Sequence, residues 1–156
     1  MTTINYNFQK KVDEKRIAKA YKSNAKISTK YSVEFCNYFN GMMLSKAIKI
    51  ANDIKEKKDF LPLVKYRLKV AHRKGQTKRF TPTGRWPINV AKEVGLLLED
   101  VKSNAEDKNL DVTKLRIIHM YANLGLTRRK TQPQGRIGGK QRESKSTNIE
   151  VIVLEE

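Results

Sequence analysis

Residues 127–147, TRRKTQPQGRIGGKQRESKST, separate two stretches that both read as β-strand, LRIIHMYANL before them and NIEVIVLE after them. Antiparallel neighbours are ordinarily joined by about two to five residues. A connection this long has to be an element in its own right, and its composition says what kind. Arg128, Arg129, Lys130, Arg136, Lys140 and Arg142 crowd like charges into a hairpin-sized segment, where they repel one another. An isolated two-stranded ribbon is marginal in water even without that repulsion. The segment therefore reads as a projecting basic arm that needs a polyanion around it. With about ten residues on each side rising roughly 3.3 Å per residue, it would reach about 30 Å from the body of the protein. That length suits a crevice deeper than a DNA groove. Gly135, Gly138 and Gly139 allow tight turns and a close approach of backbone to phosphate.

The whole chain repeats the theme. It has 156 residues, 33 Lys and Arg against 16 Asp and Glu, and a formal net charge of +17. Residues 60–92 hold nine Lys or Arg and no acid, and residues 112–142 hold eight and no acid. These windows contain the entire net charge; the remainder balances at sixteen of each sign. A solvated face usually mixes signs, which accounts for the remainder but not for the windows. Phosphate binding accounts for them. Cys36 is the lone cysteine, which excludes an internal disulfide and a thiolate zinc cluster and fits a reducing cytoplasm. The N-terminus MTTINYNFQKKVDEKR lacks an apolar signal core, and no run approaches the roughly 20 apolar residues of a membrane span. A soluble, unexported protein without a membrane partner is expected.

Along the chain, AKAYKSNAKI alternates weakly, as a strand would. Ser28 is a candidate N-cap for TKYSVEFCNYFNG, where Tyr31, Phe35, Tyr38 and Phe39 recur at helical spacing and Gly41 is placed to end the helix. A second helix is expected from Ser45, with Ala47, Ile48, Ala51 and Ile54 as its apolar stripe and Lys46, Lys49, Lys55 and Lys57 outward. The short turn between the two predicts that they pack side by side. LPLVKYRLKVAHRKGQTKRFTPTGRW has no helical period and reads as a long basic loop, with a short strand at LVKYRLK. After Pro87, tolerated in a first turn, Val90, Val94, Leu97, Leu98, Val101 and Ala105 mark one face of a third helix running to about Asn109. NIEVIVLE reads as a half-buried strand.

No active site can be assembled from these residues. Cys36 lies among Val33, Phe35 and Phe39 and reads as a buried structural thiol. His72 and His119 have no His, Cys or carboxylate at ligand spacing, so neither a metal nor a cofactor is expected, and His119 reads as an ordinary strand residue. GRIGGK lacks the G-x-x-x-x-G-K-[ST] spacing of a phosphate-cradling loop. RNA contact fits better. In the basic loop, cations are interleaved with Tyr66, His72, Phe80 and Trp86, which combines phosphate neutralisation with faces on which bases or riboses can pack. Trp86 serves equally well as an anchor of the loop to the core. The pattern by itself fits any basic RNA- or DNA-binding module.

A more specific likeness is carried by GRWP at 84–87, SNAEDKNLDVTKL at 103–115, RRKT at 128–131, GRI at 135–137 and the terminal IEVIVLEE. In that order, from about Ala18 onward, the chain resembles the universal large-subunit ribosomal protein twenty-two family, called protein seventeen in eukaryotes, in its archaeal and eukaryotic cytoplasmic form. The resemblance implies an α+β fold: a small sheet packed against three helices, with a long protruding β-hairpin. It implies one domain over residues 1–156, its globular part at about 18–124 and 148–156 and its arm at about 125–147. The implied role is structural and not enzymatic: binding large-subunit ribosomal RNA near the polypeptide exit tunnel, with the hairpin lining the tunnel, in support of subunit assembly and translation. Neighbouring ribosomal proteins and the nascent polypeptide would be the other partners. Arg128, Arg129, Lys130 and Arg136 carry over as RNA-contacting residues of the arm, joined by Lys140 and Arg142. Arg85 and Trp86, with His72, Arg73, Lys74, Lys78 and Arg79 of the preceding loop, would bind RNA from the globular part. The tip reads Gln132-Pro133-Gln134 where the family commonly has Arg-Ala before its Gly-Arg element.

Overall fold

The computed structural model describes residues 4–73, 81–133 and 139–156. In chain order its elements are β1 (Ile17–Ala25), α1 (Thr29–Phe39), α2 (Leu44–Lys55), β2 (Leu61–Pro62), β3 (Gly84–Arg85), α3 (Ile88–Asp107), β4 (Leu115–Pro133) and β5 (Gly139–Glu155). One antiparallel sheet has the order β1-β5-β4, and β2 pairs with β3 in a separate two-residue ribbon. The fold is α+β as expected: the helices pack on one face of the small sheet, and β4 and β5 run on beyond it as a hairpin.

The core forms where the apolar stripes converge. Ile149, Val151 and Val153 of the central strand meet Ala18 and Ala20 of β1 and Ile117, Met120 and Ala122 of β4. Val90, Val94, Leu97, Leu98, Val101 and Ala105 of α3 are all buried, as their spacing predicts. Phe35 and Phe39 of α1 meet edge to face with centroids 5.4 Å apart. Each aliphatic or aromatic side chain of this size contributes about 1.5–3 kcal/mol when fully buried. Helix α2 starts at Leu44, one residue before Ser45, and buries Leu44, Ala47, Ile50, Ala51 and Ile54, while Ile48 is half-buried. Cys36 is buried in this core, and burial pushes its thiol pKa far up.

Elsewhere tertiary partners override local signals. Ser28 flanks α1 without a side-chain capping bond; instead the Ser32 hydroxyl donates to the Ser28 carbonyl at 3.0 Å. The first two helices do not pack side by side: α1 lies on β4 and α2 lies along α3. The turn between them explains this. Gly41 takes φ +80°, a conformation that favours glycine. Its N–H donates to the Ile117 carbonyl at 2.8 Å, and the Ile117 N–H donates to the Met42 carbonyl at 2.9 Å. The turn is thus tied to the edge of β4, and α2 leaves from there toward α3.

The segment LVKYRLK is not a strand; only Leu61 and Pro62 pair, with Arg85 and Gly84. The Leu63 N–H still donates to the Thr83 carbonyl at 3.0 Å, but the next amides are diverted to a side chain. The Glu34 carboxylate, 1% exposed, accepts from the Val64 N–H at 3.1 Å and the Tyr66 N–H at 2.6 Å. NIEVIVLE is buried on both faces, not half-buried, because Glu150 and Ile152 of the face away from the helices are buried too. The N-terminal segment crosses that face: the Asn7 N–H donates to Glu150 at 3.1 Å, and Tyr6 and Phe8 meet the rings of Tyr21 and His119. Here His119 is more than an ordinary strand residue, since its Nε2 lies 2.8 Å from Glu150 Oε1.

Candidate nucleic-acid interface

The arm begins where β1 stops. The last β1 pairing is Ala25 with Thr147, and from Thr127 with Lys145 outward β4 and β5 pair only with each other, ending at Pro133 with Gly139. Between Leu124 and Thr127 the register slips by one residue, a β-bulge that bends and twists the strand. A polar cluster locks it. Asn24, at φ +49°, accepts at Oδ1 from the Leu126 N–H at 2.9 Å and from the Ser146 hydroxyl at 3.0 Å. The Asn24 N–H donates to Asn148 Oδ1 at 2.8 Å. Gly125 sits beneath: a Cβ there would come within 2.7–2.9 Å of Ser146, Asn24 and Asn148 side-chain atoms, so only glycine fits with the cluster in place.

Every described residue from Arg128 to Pro133 and from Gly139 to Lys145 is exposed, so no arm side chain contributes to the core. Opposed residues of an antiparallel pair project to the same face, and successive residues alternate. The register therefore sorts the charges. Arg128 opposes Ser144, Lys130 opposes Arg142 and Gln132 opposes Lys140 on one face. Arg129 opposes Glu143, Thr127 opposes Lys145 and Thr131 opposes Gln141 on the other. On that second face Glu143 stands 3.6 Å from Arg129 and 4.0 Å from Lys145.

In the globular part, His72 is exposed and bridges to Thr83. The Arg73 guanidinium lies 4.4 Å from the centroid of the Trp86 ring, and its Nε donates to the Gly84 carbonyl at 2.9 Å. Exposed Arg85 donates to the Tyr31 hydroxyl at 2.8 Å. Trp86 is half-buried, so it both anchors this loop and leaves part of its ring open. Lys74, Lys78, Arg79 and Arg136 lie outside the described residues. An open groove of about 590 Å³, lined by Lys26, Tyr31, Trp86, Pro87, Ser144 and Lys145 among others, brings the Trp86 end of the loop to the base of the arm. The outer arm cations lie away from that groove. Lys26, Lys145, Glu34 and Asn24 escape sequence reading. Lys145 was visible as one more cation of the arm, but nothing local marks the other three: Glu34 and Asn24 bond to groups distant in the chain, and Lys26 shares its groove with residues distant in the chain.

Among the described residues, no group of three or more His, Cys, Asp or Glu is placed to hold a metal ion, and no helix is long and apolar enough to cross a membrane. A small α+β body that extends a cation-studded ribbon from its sheet is the plan of a structural protein shaped for a polyanion. Comparison with known proteins narrows this class. The family model described as "Ribosomal protein L22p/L17e" matches residues 20–154, and the chain belongs to that family, one of ribosomal proteins and not of enzymes. Relatives named "Large ribosomal subunit protein uL22" include one from Methanosphaera stadtmanae, 35% identical over 150 residues covering 96% of each chain. One from Methanocaldococcus jannaschii is 36% identical over 157 residues, covering 99% of this chain and 97% of the relative. A third, from Aeropyrum pernix, is 33% identical over 144 residues covering 92% of each.

Proposed function

We propose that this chain is a structural constituent of the large ribosomal subunit in the cytoplasm, and that it binds large-subunit ribosomal RNA near the polypeptide exit tunnel. The arm reaches inward to line the tunnel, beside the nascent polypeptide, and the globular part rests on RNA and on neighbouring ribosomal proteins. The residues that meet RNA are drawn from the arm cations Arg128, Arg129, Lys130, Arg136, Lys140 and Arg142, together with His72, Arg73, Arg85 and Trp86 and the cations Lys74, Lys78 and Arg79 of the same loop. The observation that carries this reading is the direct opposition of Lys130 and Arg142 on an exposed ribbon. Like charges facing each other across a strand pair are destabilising, so the ribbon is suited to a polyanion and not to free solution.

The test is binding to the particle and to its RNA. After a high-salt wash the protein should co-sediment with large subunits and protect one discrete set of nucleotides in large-subunit RNA. Recovery in the post-ribosomal supernatant, or weak protection spread evenly along any RNA or DNA offered, would instead identify a basic nucleic-acid-binding module outside the ribosome.

A further inference from the structure

The arm cations are not equivalent. On the face that carries Arg128, Lys130, Lys140 and Arg142, the described residues include no acid, and two of these cations, Lys130 and Arg142, are directly opposed. On the opposite face Glu143 stands between Arg129 and Lys145, within 3.6 Å and 4.0 Å of them. One face is therefore left with uncompensated, mutually repelling charge, and the other partly neutralises its own. A phosphate gains most where it relieves repulsion, and least where it must compete with a carboxylate already placed against the cation.

We propose that the arm binds RNA phosphates through one face only: Arg128, Lys130, Lys140 and Arg142 form the phosphate-binding edge, and Arg129 and Lys145 are held back by Glu143 as structural cross-strand partners. This rests on the RNA-binding reading above and sharpens it, because it separates Arg129 from its sequence neighbours Arg128 and Lys130. Adjacent residues in RRK have opposite roles, since the pleat sends them to opposite faces. The same alternation keeps Glu143 off the phosphate edge.

The test compares two variants of the full-length protein that each remove two positive charges: Lys130→Gln with Arg142→Gln, and Arg129→Gln with Lys145→Gln. All four positions are exposed, and thermal melts confirm that both variants remain folded. Binding to a large-subunit ribosomal RNA transcript is measured across a salt series. Each phosphate contact contributes about 0.7–0.9 to the slope of log affinity against log salt. The Lys130 and Arg142 pair should lower that slope by about 1.4–1.8. The Arg129 and Lys145 pair, equal in net charge, should leave the slope nearly unchanged. Equal losses from the two variants, or a larger loss from the second, would overturn the one-face assignment. Failure of the unaltered protein to prefer that transcript over unrelated RNA would defeat the RNA-binding reading itself.

Discussion

At the scale of single residues, the basic loop after α2 hangs on one acid. Glu34 is buried and receives two backbone N–H groups from the loop, at Val64 and Tyr66. Removing it strands two donors that a strand ladder would otherwise have satisfied. Glu34→Ala should cost about 1.5–3 kcal/mol, the contribution of hydrogen bonds to a charged group, and should loosen residues 63–73; urea denaturation and amide exchange measure both. Cys36 makes the complementary case. Burial disfavours its thiolate and raises its pKa, so at pH 8 the native protein should resist alkylation and the urea-unfolded protein should react readily. Equal rates in the two states would place the thiol at the surface. The cysteine was legible from its aromatic neighbours on a helical face. Glu34 was not: on paper it is one more helix acid, and the groups it serves lie thirty residues or more away.

At the scale of elements, strength of period decided what could be read. Six apolar positions of α3 recur at helical spacing and all six are buried. The LVKYRLK segment offered β propensity, but past Leu63, which bonds to the Thr83 carbonyl, Glu34 claimed the amides of Val64 and Tyr66. The side-by-side packing of α1 and α2 failed for a similar reason: a short turn usually implies neighbours, but Gly41 and Met42 bond to β4 and redirect the chain. The arm was legible as a hairpin because its charge had no other use, while its bulge and its two-faced register appear only once the pairs are known. Because nothing from Arg128 to Arg142 enters the core among the described residues, the arm should be removable. Excising residues 128–142 leaves Glu143 and Ser144 to join Thr127 and Lys145, which already pair. A two-residue loop is the commonest hairpin connection. The shortened protein should keep a single cooperative melt and lose most of its affinity for large-subunit RNA. Loss of cooperative unfolding would show that arm and body are one folding unit.

At the scale of the whole molecule, the net charge of +17 is held in two windows, one running from the β2–β3 loop into α3 and one from the start of β4 into the arm, while the remainder of the chain balances its charges. The scaffold fixes where the arm leaves through the Asn24, Gly125, Ser146 and Asn148 cluster, but it does not extend along the arm. Beyond that cluster the described residues of the ribbon have their own ladder and the Glu143 contacts with Arg129 and Lys145, and the charges of the Lys130 and Arg142 face work against it. The central claim is that RNA phosphates, and not packing, hold the arm in its extended form. Hydrogen exchange of the full-length protein, free and bound to large-subunit ribosomal RNA, tests it most directly. Amides of residues 128–132 and 139–142 should exchange fast in the free protein and become protected on binding, with those of α3 slow in both states. Strong, equal protection of the arm with and without RNA would contradict the account.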